Sequence, residues 1–312
     1  MISCTEFIPA YSELFAYLDA HYGREEVDRF WAYLFKPDGK GIPLVNFVKR
    51  EGIRGCFSYW AGTLNEEAAD FTMYLNEKAG WFRIQMHRCP SKGRLLALKD
   101  SIGITPYPHY CLHCDCYRAA VAEVGLEYVY DFTNTDRAAC SILIYDPKVF
   151  DGRVIVDENT EIMDRRAGDN EYFHPAFHSS LNRGMHYLGE KYGAEVLADY
   201  LATYTAHVYA HLHIERTGLD GIEALIRDTY RKEKAEDVLS LTREDDTLTV
   251  QTSHCPGVRF LQSIGREVSR WYPATTEVVM QTLAKQAGLA FELCAYDKES
   301  GASCYKFSKK EG

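Results

Sequence analysis

The sequence lacks the features that define several large classes of protein. No apolar run approaches the roughly 20 residues that a membrane-spanning helix needs. The first residues, MISCTEFIPAYSELF, show neither the basic start and apolar core of a signal peptide nor the Arg-rich pattern of a transit peptide. A net charge of −10 gives no basic face for a nucleic acid. We therefore expect a cytoplasmic protein with no membrane or nucleic-acid partner.

Common catalytic and nucleotide-binding motifs are also missing. The stretch GIRGCFSYWAG lacks the spacing and the lysine of a phosphate-binding loop. There is no GxSxG, so a serine-hydrolase nucleophile elbow has no candidate. There is no HExxH, so metalloprotease chemistry is unsupported. The sequence therefore indicates no nucleotide cofactor.

The composition is that of a globular protein, with 46% hydrophobic and 26% charged residues. At 312 residues the chain is long enough for two domains, each with its own core. Ten cysteines are present. In a long chain without an evident signal peptide, we expect them to be reduced thiols, metal ligands or core residues rather than disulfides.

The chain repeats itself. YLDAHYGREEVDRFWAYL, from Tyr17, aligns with YLGEKYGAEVLADYLATY, from Tyr187, and both predict helices. WFRIQMHRCP and DTLTVQTSHCP alternate apolar and polar residues before the same Cys-Pro, which predicts two half-buried strands. VGLEYVYDFTNTDRAACSILIYD and AGLAFELCAYDKESGASCYKFSK then predict hairpins. This alignment pairs Cys140 with Cys304.

These repeats predict an α+β fold of two homologous halves, each with helices packed on a small antiparallel sheet. The first repeat covers residues 1–150, a polar linker covers 151–170, and the diverged second repeat covers 171–312. Two homologous halves in one chain commonly form a pseudo-dimer with a cleft along the interface. We expect a small-molecule site in that cleft, in a protein that is either a monomer or a homodimer.

Only the first repeat contains the cysteine-rich stretch PHYCLHCDC, residues 108–116. It predicts the start of a helix with Cys111, Cys114 and Asp115 on one face. A thiol in the first turn of a helix tends toward the thiolate, the form that nucleophiles and metal ligands require.

Further residues extend this candidate site. Cys89 ends a predicted strand and could complete a zinc or iron site with the thiols of Cys111 and Cys114, which form a CxxC motif. His109 and His113 could serve as a base or as additional ligands. The thiols are therefore catalytic, metal-ligating or inert core residues, and the spacing alone leaves these alternatives open.

The second repeat concentrates histidines instead. His174 and His178 are four residues apart, as are His207 and His211, so each pair shares a face if its segment is helical. The two pairs could hold zinc or iron, or could line a polar, aromatic cleft. A third interpretation assigns a structural zinc to the thiols and the functional site to the histidines.

Four features of the first repeat are similar to those of a known family: the strand ending in RCP, the CLHCD at a helix start, the Gly-Leu strand and the strand entered at Ala139-Cys140. On these residues the chain resembles the L-2-amino-thiazoline-4-carboxylic acid hydrolase family. The resemblance is clearest over residues 81–146. More distantly, the chain is similar to the 4-vinyl reductase type of small-molecule-binding domain. The hydrolase resemblance implies an enzyme that opens a small sulfur and nitrogen heterocycle with water. Residue by residue it points to Cys89, Cys111, Cys114 and Asp115.

We therefore expect a hydrolase that acts on a C–N or C–S bond of a small, polar, cyclic substrate. Cys111 or Cys114 would be the nucleophile or a metal ligand, and Asp115 would orient a group or accept a proton. His109 or a histidine of the second repeat would supply acid–base chemistry. The alternative is a non-catalytic module that binds a small molecule or a metal ion.

Overall fold

The alternating strands that precede each Cys-Pro are present in the computed structural model, which describes residues 1–35, 42–213 and 218–310. Phe82, Ile84 and Met86 are buried in the first strand, and Leu248 and Val250 in the second. The protein is α+β with two antiparallel sheets, which confirms the predicted fold class. All ten cysteines are free thiols.

The chain divides into two units. Unit 1 comprises Met1–Tyr17, Ile102–Ile104 and Phe173–Gly312, and unit 2 comprises Leu18–Ser101 and Thr105–Tyr172. The α-helices are α1 (Phe7–Tyr22), α2 (Arg24–Phe35), α3 (Pro43–Glu51), α4 (Arg54–Glu66), α5 (Pro90–Ile102), α6 (Tyr117–Ala122), α7 (Phe177–Tyr204), α8 (Ala210–His213), α9 (Leu219–Lys232), α10 (Pro256–Ser263) and α11 (Ala274–Gln286).

Unit 2 is built on a five-stranded sheet in the order β3-β4-β2-β1-β5. Its strands are β1 (Asp70–Asn76), β2 (Trp81–Arg88), β3 (Glu127–Asp131), β4 (Cys140–Tyr145) and β5 (Glu161–Arg165). Helix α4 packs on this sheet because its apolar face is buried there, and the ring of Trp60 stacks on Phe82 of β2 with centroids 5.7 Å apart.

Unit 1 is built on a four-stranded sheet in the order β6-β7-β9-β8. Its strands are β6 (Leu239–Glu244), β7 (Thr247–Thr252), β8 (Leu289–Tyr296) and β9 (Ser303–Lys309). Helix α7 is interrupted at Gly193, whose φ of 87° is a conformation that favours glycine. The hydroxyl of Tyr200, after this break, donates to the carbonyl of Ala10 over 2.7 Å.

Four strands follow the same order in both sheets, since β1-β2-β4-β3 corresponds to β6-β7-β9-β8. The break at Gly193 also has a counterpart in the first repeat, where Gly23, with a φ of 84°, separates α1 from α2. These features agree with the predicted repeat. Duplication and a pseudo-dimer arrangement stay predictions.

The strand register corrects one pairing made from the sequence. Cys140 lies opposite Met86, three residues before Cys89. The corresponding residue of the second repeat is Thr252, three residues before Cys255, and it lies opposite Ser303 rather than Cys304. The predicted equivalence of Cys140 with Cys304 is therefore wrong by one residue, and a shift of one residue in a strand places a side chain on the other face.

The segment 151–170, predicted as a linker, contains β5, which pairs with β1 from Leu75 opposite Glu161 to Phe71 opposite Arg165. Residues 1–17 lie in unit 1 together with the second repeat. In the described parts of the chain, no helix combines the length and the apolar character needed to cross a membrane.

Candidate functional site

Unit 2 contains a small, partly open cavity whose lining brings together residues that are far apart in the sequence. The cavity measures about 40 Å³ and is lined by Cys89, Cys111, His113, Cys114, Tyr130 and Cys140, among others. This volume holds roughly three water molecules. The structure therefore assembles Cys89, Cys111 and Cys114 at one place, as the sequence predicts, and adds a fourth thiol from β4.

The cysteine-rich segment is a 3₁₀-helix, Tyr110–Cys116, and α6 begins only at Tyr117. The predicted α-helical start is thus wrong in its geometry. With three residues per turn, Cys111 and Cys114 are aligned above one another, which is how both reach the cavity. The hydroxyl of Tyr128 donates to the carbonyl of Cys114 over 2.8 Å and ties the segment to β3.

The side chains of Cys114 and His113 are in contact in this cavity. The Sγ of Cys114 lies 3.5 Å from the Nε2 of His113. The Nδ1 of His113 lies 2.5 Å from the carbonyl oxygen of Tyr110. Because a carbonyl only accepts hydrogen bonds, Nδ1 carries the ring proton, and Nε2 is the ring nitrogen that can accept a proton from the thiol.

Burial decides the protonation state of the Cys114 thiol and of the His113 imidazole. It raises the pKa of Cys114 to about 12, although a hydrogen bond with Tyr130 acts in the opposite direction. Burial also lowers the pKa of His113 below 6.5, so its imidazole is neutral at pH 7. Both groups are therefore neutral at pH 7, and Nε2 of His113 is the nearest described acceptor for the proton of the Cys114 thiol.

The other thiols of the cavity are protonated for the same reason. Burial raises the pKa of Cys111 and of Cys140 to about 12 and that of Cys89 well above its ordinary value. The shift toward the thiolate expected from a helix dipole is therefore wrong, because desolvation outweighs it and the segment precedes the α-helix. Of the four thiols, the contacts that the structure describes give only Cys114 an imidazole partner.

Asp115 and His109 lie apart from this pair. The carboxylate of Asp115 accepts from the guanidinium of Arg118 over 2.6 Å at the protein surface. The side chain of His109 is exposed, and its ring packs edge-on against Tyr107 with centroids 5.8 Å apart. Neither lines the cavity. The imidazole that the geometry places beside a thiol of the cavity is that of His113, a residue that the sequence indicates together with His109 but that is not among those expected to carry the reaction.

The predicted histidine cluster is not assembled. His174 precedes α7 and packs on Phe177, whereas His178 lies inside the helix and is fully buried. His207 lies on a π-helical turn, Thr205–Tyr209, with a largely exposed side chain 3.6 Å from Glu13, and His211 is exposed. Both rings of this second pair are therefore exposed to solvent, whereas both rings of the first pair are buried.

Within the described residues, the one set of three His, Cys, Asp or Glu side chains close enough to share a metal ion is Cys4, His178 and Glu233 in unit 1. Their ligand atoms all lie within 4.8 Å of one another. Cys89, Cys111 and Cys114 do not meet that spacing as a set. Sequence reasoning identified His178 but missed its partners, since Cys4 and Glu233 are 229 residues apart and no local pattern links them.

No protein-family model, no curated protein and no solved structure matches this chain. The resemblance to the amino-thiazoline-carboxylate hydrolases therefore stays a prediction carried by the residues of unit 2.

Proposed function

We propose that unit 2 is a cysteine-dependent hydrolase that opens a C–N or C–S bond of a small polar substrate. The observation that supports this proposal is the contact between the Sγ of Cys114 and the Nε2 of His113, with Nδ1 of the same ring fixed by the Tyr110 carbonyl. A nucleophile, a base and a group that orients the base are the elements of covalent hydrolysis.

The proposed reaction has two steps. As the Sγ of Cys114 attacks the electrophilic carbon of the substrate, its proton passes to Nε2 of His113, and the imidazolium then protonates the departing nitrogen or sulfur. A new S–C bond replaces the C–N or C–S bond. His113 next takes a proton from water, the hydroxide displaces Cys114 from the carbon, and the thiol regains its proton.

The tyrosine beside the pair contributes a second polar group. The side chain of Tyr130 is hydrogen-bonded to Cys114, and burial raises its pKa far above the ordinary value, so the phenol stays protonated. A protonated phenol in a poorly hydrated cavity can stabilise charge that develops next to the attacking sulfur.

The size of the cavity limits how a substrate enters. A volume of about 40 Å³ accepts water but not a five-membered heterocycle. Binding of such a substrate therefore requires the lining side chains to move, as occurs in enzymes whose sites open and close during turnover. The small size of the cavity would also limit the access of water to the covalent intermediate.

The test is hydrolysis of L-2-amino-thiazoline-4-carboxylic acid and of small cyclic amides and thioesters by the full-length protein, with product thiol or amine as the readout. We expect Cys114→Ala to lower kcat by about a thousandfold or more. The matched control is Cys140→Ala, which removes a thiol from the same cavity but leaves the Cys114–His113 pair. We expect that variant to stay within about tenfold of the wild type.

Equal activity of Cys114→Ala and wild type would overturn this assignment. A second candidate is a module that binds a small molecule without turnover, and it is favoured by the protonation of all four thiols at neutral pH, which leaves none of them a ready nucleophile. Stoichiometric binding to the wild type, with no product from any substrate class, would decide for that module.

A further inference from the structure

Unit 1 contains a buried group of metal-ligand types that the proposed hydrolase chemistry does not use. It consists of Cys4, His178 on α7 and Glu233 at the end of α9. All are buried, with side-chain exposures of 1% for His178 and 2% for Glu233. Buried polar groups of this kind are retained only where they are paired with one another or coordinate an ion.

The carboxylate of Glu233 is the centre of the group. One oxygen accepts from the backbone N–H of Cys4 over 2.5 Å, and the other lies 3.1 Å from the Nε2 of His178. The thiol of Cys4 also hydrogen-bonds to this carboxylate. Sulfur, nitrogen and oxygen donors from three distant parts of the chain therefore converge within 4.8 Å.

The remaining ring nitrogen of His178 has its own partner. Its Nδ1 lies 3.2 Å from the hydroxyl of Tyr272, and both residues are buried. A partner of this kind on the outer nitrogen is the usual arrangement around a metal-bound histidine, because it fixes the ring and its tautomer. Gly257 leaves the space for this contact, since a Cβ there would lie 2.2 Å from the Tyr272 hydroxyl.

The charges of the three donors match a divalent ion. A thiolate and a carboxylate carry two negative charges, a neutral imidazole carries none, and a zinc ion brings the total to zero. A neutral site is the one that costs least to bury in a poorly hydrated interior. Mixed sulfur, nitrogen and oxygen donors favour zinc over the hard ions magnesium and calcium, which prefer oxygen alone.

We propose that Cys4, His178 and Glu233 form a zinc site in unit 1, separate from the thiol cavity of unit 2. On binding, the Cys4 thiol loses its proton to solvent, and the His178 proton moves to Nδ1, where it is donated to Tyr272. The ion joins the beginning of the chain to α7 and α9. Its role is structural, because it links three distant parts of the chain and its binding energy adds to folding. The three protein donors leave the fourth tetrahedral position to a bound water molecule.

The experiment uses full-length protein from which metal has been removed by a chelator. Zinc is added, excess is dialysed away, and the bound metal is counted by elemental mass spectrometry; cobalt is added to a parallel sample. We expect about one zinc ion per chain, and for cobalt a thiolate-to-metal charge-transfer band with the strong visible absorption of tetrahedral coordination. Both should be lost in Cys4→Ala and in His178→Ala.

The matched control is Cys304→Ser. Cys304 is a partly buried thiol of unit 1 that does not belong to the group, so this variant should bind zinc like the wild type. A second measurement needs no variant. Pulsed alkylation in denaturant, with zinc present or absent, identifies by mass spectrometry which cysteine the metal protects, and we expect Cys4 to be protected at least about tenfold.

Two results would overturn this site. One is the absence of zinc binding above a small fraction of an ion per chain. The other is zinc that protects Cys111 or Cys114 and leaves Cys4 reactive, which would move metal binding to unit 2. Neither outcome bears on turnover by Cys114, so this site and the proposed hydrolase can fail independently.

Discussion

Replacing Glu233 by Gln tests how much the buried group contributes to the stability of unit 1 without metal. The substitution keeps the shape of the side chain but removes its charge. The amide oxygen can still accept from the backbone of Cys4, but the amide nitrogen cannot accept from Nε2 of His178. Removing one partner of a buried pair costs about 3 kcal/mol, which corresponds to roughly a hundredfold change in an opening equilibrium.

The pH dependence of this loss follows from the pKa of Glu233. Burial alone would raise that pKa, but the attraction of His178 and the hydrogen bonds from Cys4 outweigh it, and the pKa is lowered. A lowered folded-state pKa contributes stability above the unfolded-state value, about 4.3 for Glu, and this contribution disappears as the pH falls through the folded value. The difference between wild type and Glu233→Gln that arises from this carboxylate should therefore shrink as the pH falls below about 4.

Hydrogen–deuterium exchange in the presence of a chelator is the appropriate assay, because it reports on each unit separately. We expect about hundredfold faster exchange in α7 and α9 of the variant, with no change in β1 and β2 of unit 2. Glu223→Gln is the matched control, since Glu223 lies on α9 and pairs with Arg227 at the surface. Loss of a surface pair should cost less than about 1 kcal/mol.

Exchange in α7 and α9 that changes by less than about threefold in Glu233→Gln would refute this reasoning, because the carboxylate would then contribute no more than a surface residue. Equal acceleration in both units would show a general loss of stability. A difference that persists unchanged at the lowest pH would show that the charge of Glu233 is not its source.

Two further predictions concern the two sites. Because burial lowers the pKa of His113, kcat/KM should stay constant as the pH falls to 6.5 and should decrease only at a lower pH, where the base becomes protonated. A decrease centred above pH 6.5 in the pH–rate profile would exclude His113 as the base. A Cβ at Gly257 would lie 2.2 Å from the hydroxyl of Tyr272 and 2.7 Å from Nδ1 of His178, so Gly257→Ala should disturb this contact and weaken zinc binding by about tenfold or more, measured by competition with a chromogenic chelator. Unchanged affinity would show that the contact does not hold the ligand.

The parts of the fold that the sequence predicts well are those with a local signal. Strands β2 and β7 alternate apolar and polar residues because one face of each is buried, and the hairpins follow polar turns. The strand β5 carries no such signal. Its residues, EIMDR, are mostly exposed because it is an edge strand paired on one side only, so hydrogen bonds to β1 rather than apolar burial form it.

The candidate sites divide in the same way. Two cysteines three residues apart lie on one side of both an α-helix and a 3₁₀-helix, so the spacing predicts that Cys111 and Cys114 face one cavity without identifying the helix type. The helix type decides which histidine ring lies within contact distance of a thiol. The meeting of Cys4 with Glu233 depends on packing across 229 residues, for which a single sequence contains no information.

The recurrence of Cys-Pro in both units indicates which part of the thiol cavity is architectural. The amide of Cys89 donates to the carbonyl of Ala138, and the amide of Cys255 donates to that of Ser300. The carbonyls of both cysteines accept the first bond of the helix that follows, α5 or α10. This shared backbone pattern explains why the junction of strand and helix recurs in both units, but it does not require a cysteine, because any residue except proline supplies the same backbone groups.

The surroundings of the two thiols differ. Cys255 is buried, and its Sγ lies 3.3 Å from the Sδ of Met1. Gly301 packs against it so closely that a Cβ there would lie 2.5 Å from the Cβ of Cys255. In unit 2, by contrast, Cys89 faces the cavity. The residues that distinguish the cavity of unit 2 are therefore those absent from the second repeat, and among them Cys114 with its adjacent His113 is the pair on which catalysis would depend.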